Sequence, residues 1–357
     1  ISRDTTMTYE EYKKWYWGLK DEFNPTDFDP DQWASVMDKA GMKYAIFTTK
    51  HHDGFNMFDT KQTDFSIANG PFKNHPKADV AKHVFDSFRK KDFMIGAYFS
   101  KPDWHTQYYW WDRFATPNRS VNYKIERHPE RWEQFKNFTY NQLDEITSNY
   151  GNIDILWLDG GWIAPPRQDI DMDNIAQMAR TNQPGLLIVD RTIKGKHENY
   201  QTPERSIPDK QLPNPWESCI TLSNDWGWVP NAPYKSPQNV VNMLIEITAK
   251  GGCLLLGVGP TAQGIIEAPA VEILEEIGKW LDVNGEGIYN TRITENYNSG
   301  NTWFTANKND KTIYAIYALP EGDNLPATIE WEGNAPKKGS KMTLLQNKKR
   351  VKWNTKD

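Results

Sequence analysis

Two periodicities alternate along most of this chain. Short continuous apolar runs, each of strand length, are separated by longer segments whose apolar residues recur every three or four positions. One such segment opens at Phe28-Asp29-Pro30-Asp31, with an acidic start and a proline where a missing N–H is tolerated, and Gly41 stops it. Residues 42–49 then read as a strand. The same alternation predicts helices over 80–91, 129–150, 173–181, 237–250 and 270–283, and strands over 93–100, 153–159, 186–190 and 253–260. Strands that are apolar throughout and separated by amphipathic helices belong in a parallel sheet covered on both faces. An open doubly wound sheet would carry a glycine-rich nucleotide loop after its first strand, and none follows here. A TIM-like (β/α) barrel is therefore expected. After Ile288 the pattern changes to short strands over 303–306, 312–319, 327–331 and 342–353, joined by turn formers such as Asn307-Lys308-Asn309-Asp310 and Glu321-Gly322-Asp323. This predicts a catalytic barrel over 1–290 followed by a small C-terminal antiparallel β-sandwich over 291–357, with an accessory role.

The strand over 153–159 ends in the carboxylate of Asp159 and is followed at once by Gly160-Gly161-Trp162. A carboxylate at the C-terminal end of a core strand, with glycines that let the backbone turn sharply, is the layout of a barrel active site. The plainer reading of a strand-end Asp is an N-cap for the next helix. An indole on either side, Trp157 and Trp162, favours a site that holds the face of a sugar.

Composition supports that direction. The chain has 16 Trp and 16 Tyr in 357 residues, and many sit in presumed loops: Trp104, Tyr108, Tyr109, Trp110, Trp111, Trp226 and Trp228. Such placement fits an aromatic-walled carbohydrate cleft better than packing alone. A formal net charge of −5 gives no footprint for nucleic acid or an anionic membrane. No apolar run approaches the roughly 20 residues of a membrane span, and no secretory leader pattern opens the chain. Cys219 and Cys253 are too few for a disulfide scaffold or a zinc site, and their apolar surroundings predict buried free thiols.

Polar groups accumulate just after the strands. Lys50-His51-His52-Asp53-Gly54-Phe55 follows the first. Tandem histidines suggest a metal, but neighbours on an extended chain point opposite ways and further ligands are lacking, so an imidazole serving a substrate hydroxyl is expected. The second strand delivers Tyr98 and then Lys101, Asp103 and Trp104. The fourth delivers Asp190-Arg191, either a surface ion pair or an arginine that holds a nearby carboxylate ionised. Two loop carboxylates come later, in Thr202-Pro203-Glu204 and Pro215-Trp216-Glu217. Glycoside hydrolysis needs one carboxylate ionised to attack the anomeric carbon and a second protonated to assist the leaving oxygen. Asp159 and a loop glutamate meet that need, because apolar neighbours can raise a loop carboxyl's pKa.

Six stretches then coincide: Thr48-Thr49-Lys50-His51-His52-Asp53-Gly54-Phe55, Leu156-Trp157-Leu158-Asp159-Gly160, Asp190-Arg191, Pro215-Trp216-Glu217-Ser218-Cys219, Trp226-Gly227-Trp228, and Gly257-Val258-Gly259-Pro260 with Gly264. Taken together, the chain resembles the α-L-fucosidases of glycoside hydrolase family 29 over nearly its whole length. The resemblance implies a retaining, exo-acting α-L-fucosidase without metal or organic cofactor, acting on fucosylated oligosaccharides or glycoconjugates. It makes Asp159 the nucleophile and puts His51, His52, Tyr98, Trp157 and Arg191 on positions that bind the fucose ring. Trp104 and Trp226 are expected to add to the substrate wall. Glu204 matches the Thr-Pro-Glu pattern of members that include those cleaving α-1,3/1,4 branches, and is the preferred general acid/base. Glu217 matches the position proposed for other members, and Glu198 is a distant third. The implied compartment is periplasmic or extracellular for a bacterial protein and lysosomal for a eukaryotic one.

The chain also departs from the pattern. Family members usually start with a strand bearing His-Trp-Gly, whereas this one runs from Ile1-Ser2-Arg3-Asp4 into a helix over 9–19, which leaves the expected barrel without its first strand. Two rival functions follow. One is a glycan-binding protein of the same fold with weakened catalysis, and the other is a retaining glycosidase for a different sugar.

Overall fold

The structure is a computed structural model that describes residues 6–116 and 118–355. The opening Ile1-Ser2-Arg3-Asp4 lies outside the described residues. The chain divides into two compact units, Ile1–Ala34 with Lys43–Asn199 and Ala262–Ile265, and Ser35–Met42 with Tyr200–Thr261 and Ile266–Asp357.

In chain order the main elements up to the fourth strand are α1 (Tyr9–Gly18), α2 (Pro30–Lys39), β1 (Tyr44–Lys50), α3 (Val80–Arg89), β2 (Met94–Ser100), α4 (Pro129–Asn149), β3 (Ile155–Asp159), α5 (Met172–Asn182) and β4 (Leu187–Asp190). The four strands form one parallel sheet in the order β1-β2-β3-β4. Each crossover helix forms for a legible reason. Asp79 caps α3 by accepting from Lys82 N, and Val80, Ala81, Val84, Phe85 and Phe88 make a buried stripe at helical spacing. α4 starts at Pro129 and buries Trp132, Phe135, Phe138, Leu143 and Ile146. Register levels the strand ends: Ser100 lies opposite Asp159, and Leu158 opposite Asp190. The C-terminal ends of β2, β3 and β4 therefore present their last residues side by side. Beyond β3, Gly160 has φ +92°, and a Cβ there would lie 2.4 Å from Pro102 Cδ, so both the conformation and the close approach demand glycine.

The second unit holds β5 (Glu217–Thr221) and β6 (Cys253–Gly257), paired in parallel, with α6 (Pro237–Ala249) between them in sequence and α7 (Ala268–Asn284) after them. The sequence reading gave five parallel strands and put Glu217 in a loop. Among the described residues there are six, and Glu217 opens a fully buried one. Its polar residues hid it. Ser218 Oγ donates to Ser206 O at 2.7 Å and Thr221 Oγ1 to Ser223 O at 2.6 Å, so their hydroxyls are satisfied inside the core. Cys219 is a buried free thiol as expected, but Cys253 is exposed.

The C-terminal sheet is antiparallel: β7 (Thr291–Arg292), β8 (Asn298–Ser299), β9 (Thr302–Asn307) and β10 (Ile313–Tyr317), in the order β10-β9-β7 with β8 also on β9. The strands expected over 327–331 and 342–353 do not form ladders; among the described residues that stretch has one isolated bridge, Thr343 with Arg350. Pro326, Gly333, Pro336 and Gly339 break up the stretch over 326–339, and 342–351 turns back on itself, with Leu344 N donating to Lys349 O at 3.0 Å and Val351 N to Met342 O at 2.9 Å. Trp331 packs against Phe304 instead, with ring centroids 6.0 Å apart.

Candidate active site

In the first unit every atom of the Asp159 carboxylate is spoken for. Oδ1 accepts from Arg191 Nη1 at 2.9 Å and from Gly160 N at 2.7 Å, and Oδ2 accepts from the Tyr98 hydroxyl at 2.7 Å. Burial alone would raise the Asp159 pKa. The Arg191 charge and the Tyr98 hydrogen bond outweigh it and hold the carboxyl below the usual aspartate range. Asp159 is thus ionised although largely buried, which is the state a nucleophile needs and an N-cap does not require. Burial, with the Asp159 charge, drives the Tyr98 phenol well above its ordinary value, so it stays a donor.

His51 and His52 are brought together rather than apart. The extended chain that would separate them ends at Lys50, where the β1–β2 register is already irregular, and Gly54 N donates to His51 O at 3.1 Å in a tight turn. Their rings lie 4.3 Å apart, and His51 stacks parallel to Tyr98 at 5.8 Å. His52 Nε2 is 3.8 Å from Asp159 Oδ2, and its Nδ1 contacts Ser100 Oγ. Burial, reinforced by the charge of His51, pushes the His52 pKa down to about 3 despite Asp159, so this is a neutral imidazole beside a carboxylate and not an ion pair. His51, His52 and Asp159 could each offer one metal-ligand atom, all within 4.8 Å of one another. The Arg191 guanidinium bonded to the same carboxylate opposes a second cation there.

Two buried ion pairs stiffen the rim. Lys50 pairs with Asp103 at 3.3 Å, and Lys101 with Asp190 at 2.6 Å. The second pair joins the ends of β2 and β4 across β3, while Lys101 N donates to Asp159 O at 2.9 Å. Asp190 pairs with Lys101 and Arg191 with Asp159, so the two neighbours serve different partners. Trp157 is buried, stacks on Tyr98 at 5.2 Å, and lies 5.1 Å beneath the Arg191 guanidinium.

Of the loop aromatics, only some face this site. Trp104 and Trp162 flank His52 with centroids at 5.3 and 5.1 Å. Tyr109 and Trp110 are buried, Tyr109 against Phe135 of α4 at 4.9 Å and Trp110 behind Trp104 at 5.2 Å, so the aromatic count overstates the wall. Ser100 and the Tyr16–Asp53 hydrogen bond of 2.9 Å were not singled out from sequence. Ser100's place as the last residue of a strand was the one available signal.

In the second unit Glu204 is exposed on a segment that runs beside β5, with Cys219 N donating to Pro203 O at 3.1 Å and Arg205 N to Cys219 O at 2.9 Å. Glu217 is buried and accepts from the Tyr200 hydroxyl at 3.4 Å. Trp226 is about half exposed, with the Arg205 guanidinium 5.3 Å over its ring.

Comparison with known proteins gives the same direction. The family model described as Alpha-L-fucosidase matches residues 2–286. The plasma alpha-L-fucosidase of Homo sapiens is 29% identical over 344 residues, covering 86% of this chain and 70% of that protein. Alpha-L-fucosidase isoenzyme 1 from Paenibacillus thiaminolyticus superposes with a TM-score of 0.73 at 31% identity, covering 85% of this chain and 74% of that one. An alpha-L-fucosidase from Bacteroides thetaiotaomicron, solved as a trapped covalent intermediate, superposes with a TM-score of 0.79 at 24% identity, covering 96% and 80%. The fold class is a TIM-like (β/α) barrel followed by a C-terminal antiparallel β-domain.

Proposed function

The chain belongs to the α-L-fucosidases of glycoside hydrolase family 29, and from that premise we propose that it releases terminal α-L-fucosyl groups from glycans with retention of configuration. Asp159 attacks the anomeric carbon as the general acid protonates the departing glycosidic oxygen, giving a fucosyl ester on Asp159 and the free aglycone. The acid, now a base, takes a proton from water, and the water oxygen displaces Asp159 from the sugar. The observation that carries this reading is the ionised Asp159 at the end of β3, bonded by Arg191 and Tyr98. Those two donors stabilise the carboxylate before attack and as it leaves.

For the acid/base we favour Glu204 over Glu217. An exposed glutamate on a segment beside a strand can be covered by the arriving aglycone, whereas Glu217 is already committed to a buried hydroxyl. Neutral His52 and its neighbour His51 suit fucose hydroxyls, Trp157 and Trp104 the apolar face of the ring, and Trp226 the aglycone. Residues 1–290 would carry catalysis and 291–357 an accessory domain. Branched α-1,3/1,4-fucosylated glycans are the proposed substrates, met outside the cytoplasm. No described helix is long and apolar enough to cross a membrane.

The test is hydrolysis of an aryl α-L-fucoside beside a branched fucosylated trisaccharide, followed by NMR. Cleavage with α-L-fucose as the first-formed anomer supports the reading. Initial β-L-fucose, or no cleavage of either, refutes it.

A further inference from the structure

The loop between β2 and α4 carries a second cation to the rim of the nucleophile's site. Arg119 is exposed, and its backbone carbonyl accepts from three side chains: the Tyr109 hydroxyl at 2.9 Å, Trp162 Nε1 at 3.1 Å and Trp104 Nε1 at 3.2 Å. Two of these donors are the indoles that flank His52. The guanidinium lies over the Trp162 ring, 5.4 Å from its centroid, and its charge reaches His52, where it helps hold the imidazole neutral. Arg131, on the same stretch of chain, offers a contrast. It lies 3.9 Å over Trp111 and donates to Gln107 O at 2.7 Å, so it serves the loop itself. Among the described residues Arg119 makes no ion pair with a carboxylate, and no backbone or side-chain acceptor there takes its guanidinium protons. A backbone fixed at three points below an unspent, indole-supported fork is a preorganised anion site.

We propose that Arg119, resting on Trp162, forms a subsite for an anionic substituent on the sugar next to the fucosyl group, a carboxylate or a sulfate ester. This rests on the α-L-fucosidase reading above and adds an acidic class of glycan to it. A neutral aglycone leaves the guanidinium in water, whereas an acidic one gains a charge-assisted and potentially bidentate contact. Because the site is open, the gain is about fivefold in kcat/KM and is screened by salt.

The experiment measures kcat/KM for a branched fucosylated trisaccharide and for its sialylated and sulfated forms, with the unaltered protein, Arg119→Gln and Arg119→Lys, at low and at physiological ionic strength. The expected result is an anionic-to-neutral ratio about fivefold lower in Arg119→Gln, carried by KM, smaller at the higher ionic strength and partly restored in Arg119→Lys. The arm that responds, sialylated or sulfated, identifies the anion. A ratio that Arg119→Gln leaves unchanged in both arms overturns the proposal, even with the neutral glycan cleaved normally. Turnover of the neutral glycan tests the α-L-fucosidase reading by itself. Should that fail, the ratio of dissociation constants for the same glycans decides Arg119 alone.

Discussion

Tyr98→Phe removes one hydroxyl and little else. The ring stays stacked between Trp157 at 5.2 Å and His51 at 5.8 Å, and Arg191 keeps its 2.9 Å bond to Asp159 Oδ1. What is lost is the 2.7 Å hydrogen bond to Oδ2, which is stronger to the ionised carboxylate than to the neutral acid. A hydrogen bond to a charged group contributes about 1.5–3 kcal/mol. Its loss should raise the Asp159 pKa, because the Tyr98 hydroxyl is one of the groups that hold it down. The sign follows from the depressed folded value. Ionised Asp159 contributes stability above the ordinary aspartate pKa, and that contribution disappears as pH falls through the folded value, so the variant should lose it at higher pH. The same holds for activity, which needs the ionised nucleophile. The acidic limb of kcat/KM with an aryl α-L-fucoside should move to higher pH, while the alkaline limb stays in place. An acidic limb that does not move in a folded Tyr98→Phe protein would refute this account of how the nucleophile is held.

Three further outcomes are expected. Glu204→Ala should impair natural oligosaccharides far more than activated aryl fucosides and be rescued by azide, while Glu217→Ala should show neither pattern; the reverse result exchanges the two roles. Lys101→Met should destabilise the protein by about 3–5 kcal/mol in urea unfolding by leaving Asp190 buried and uncompensated, and Lys101→Met with Asp190→Leu should recover most of it. A stable single variant would show that the pair does not tie β2 to β4. Chelator treatment should leave activity unchanged, since Arg191 already neutralises Asp159; loss restored by one divalent ion would assign the two histidines and Asp159 to a metal instead.

Much of the site was legible because its carriers obey local rules. Four of the five residues of β3 are buried and it ends in a carboxylate before two glycines, a pattern readable without tertiary information. The same holds for α3 and α4, whose buried stripes keep helical spacing. What escaped depends on partners remote in sequence. β5 reads as polar until Ser206 and Ser223 are seen to satisfy its hydroxyls. The two histidines seem opposed until the strand is seen to end before them. The pairing of Lys101 with Asp190, 89 residues apart, cannot be inferred from neighbours, nor can the three donors that converge on the Arg119 carbonyl. The C-terminal segment was misjudged for the opposite reason. Its apolar residues alternate locally, but prolines and glycines break up 326–339, and 342–351 turns back on itself through Leu344 N to Lys349 O and Val351 N to Met342 O instead of joining the sheet.

The central claim, that Asp159 forms a covalent bond to fucose, is tested most directly by trapping. The protein is incubated with a 2-deoxy-2-fluoro-fucosyl fluoride of the substrate's anomeric configuration, whose 2-fluorine slows both displacements while its good fluoride leaving group keeps the first the faster, so that the ester accumulates. Intact-mass spectrometry and peptide mapping should then find one fluorofucosyl group esterified to Asp159 and none in Asp159→Asn. A label on another carboxylate would contradict the account, as would an unlabelled protein that still turns over aryl α-L-fucoside.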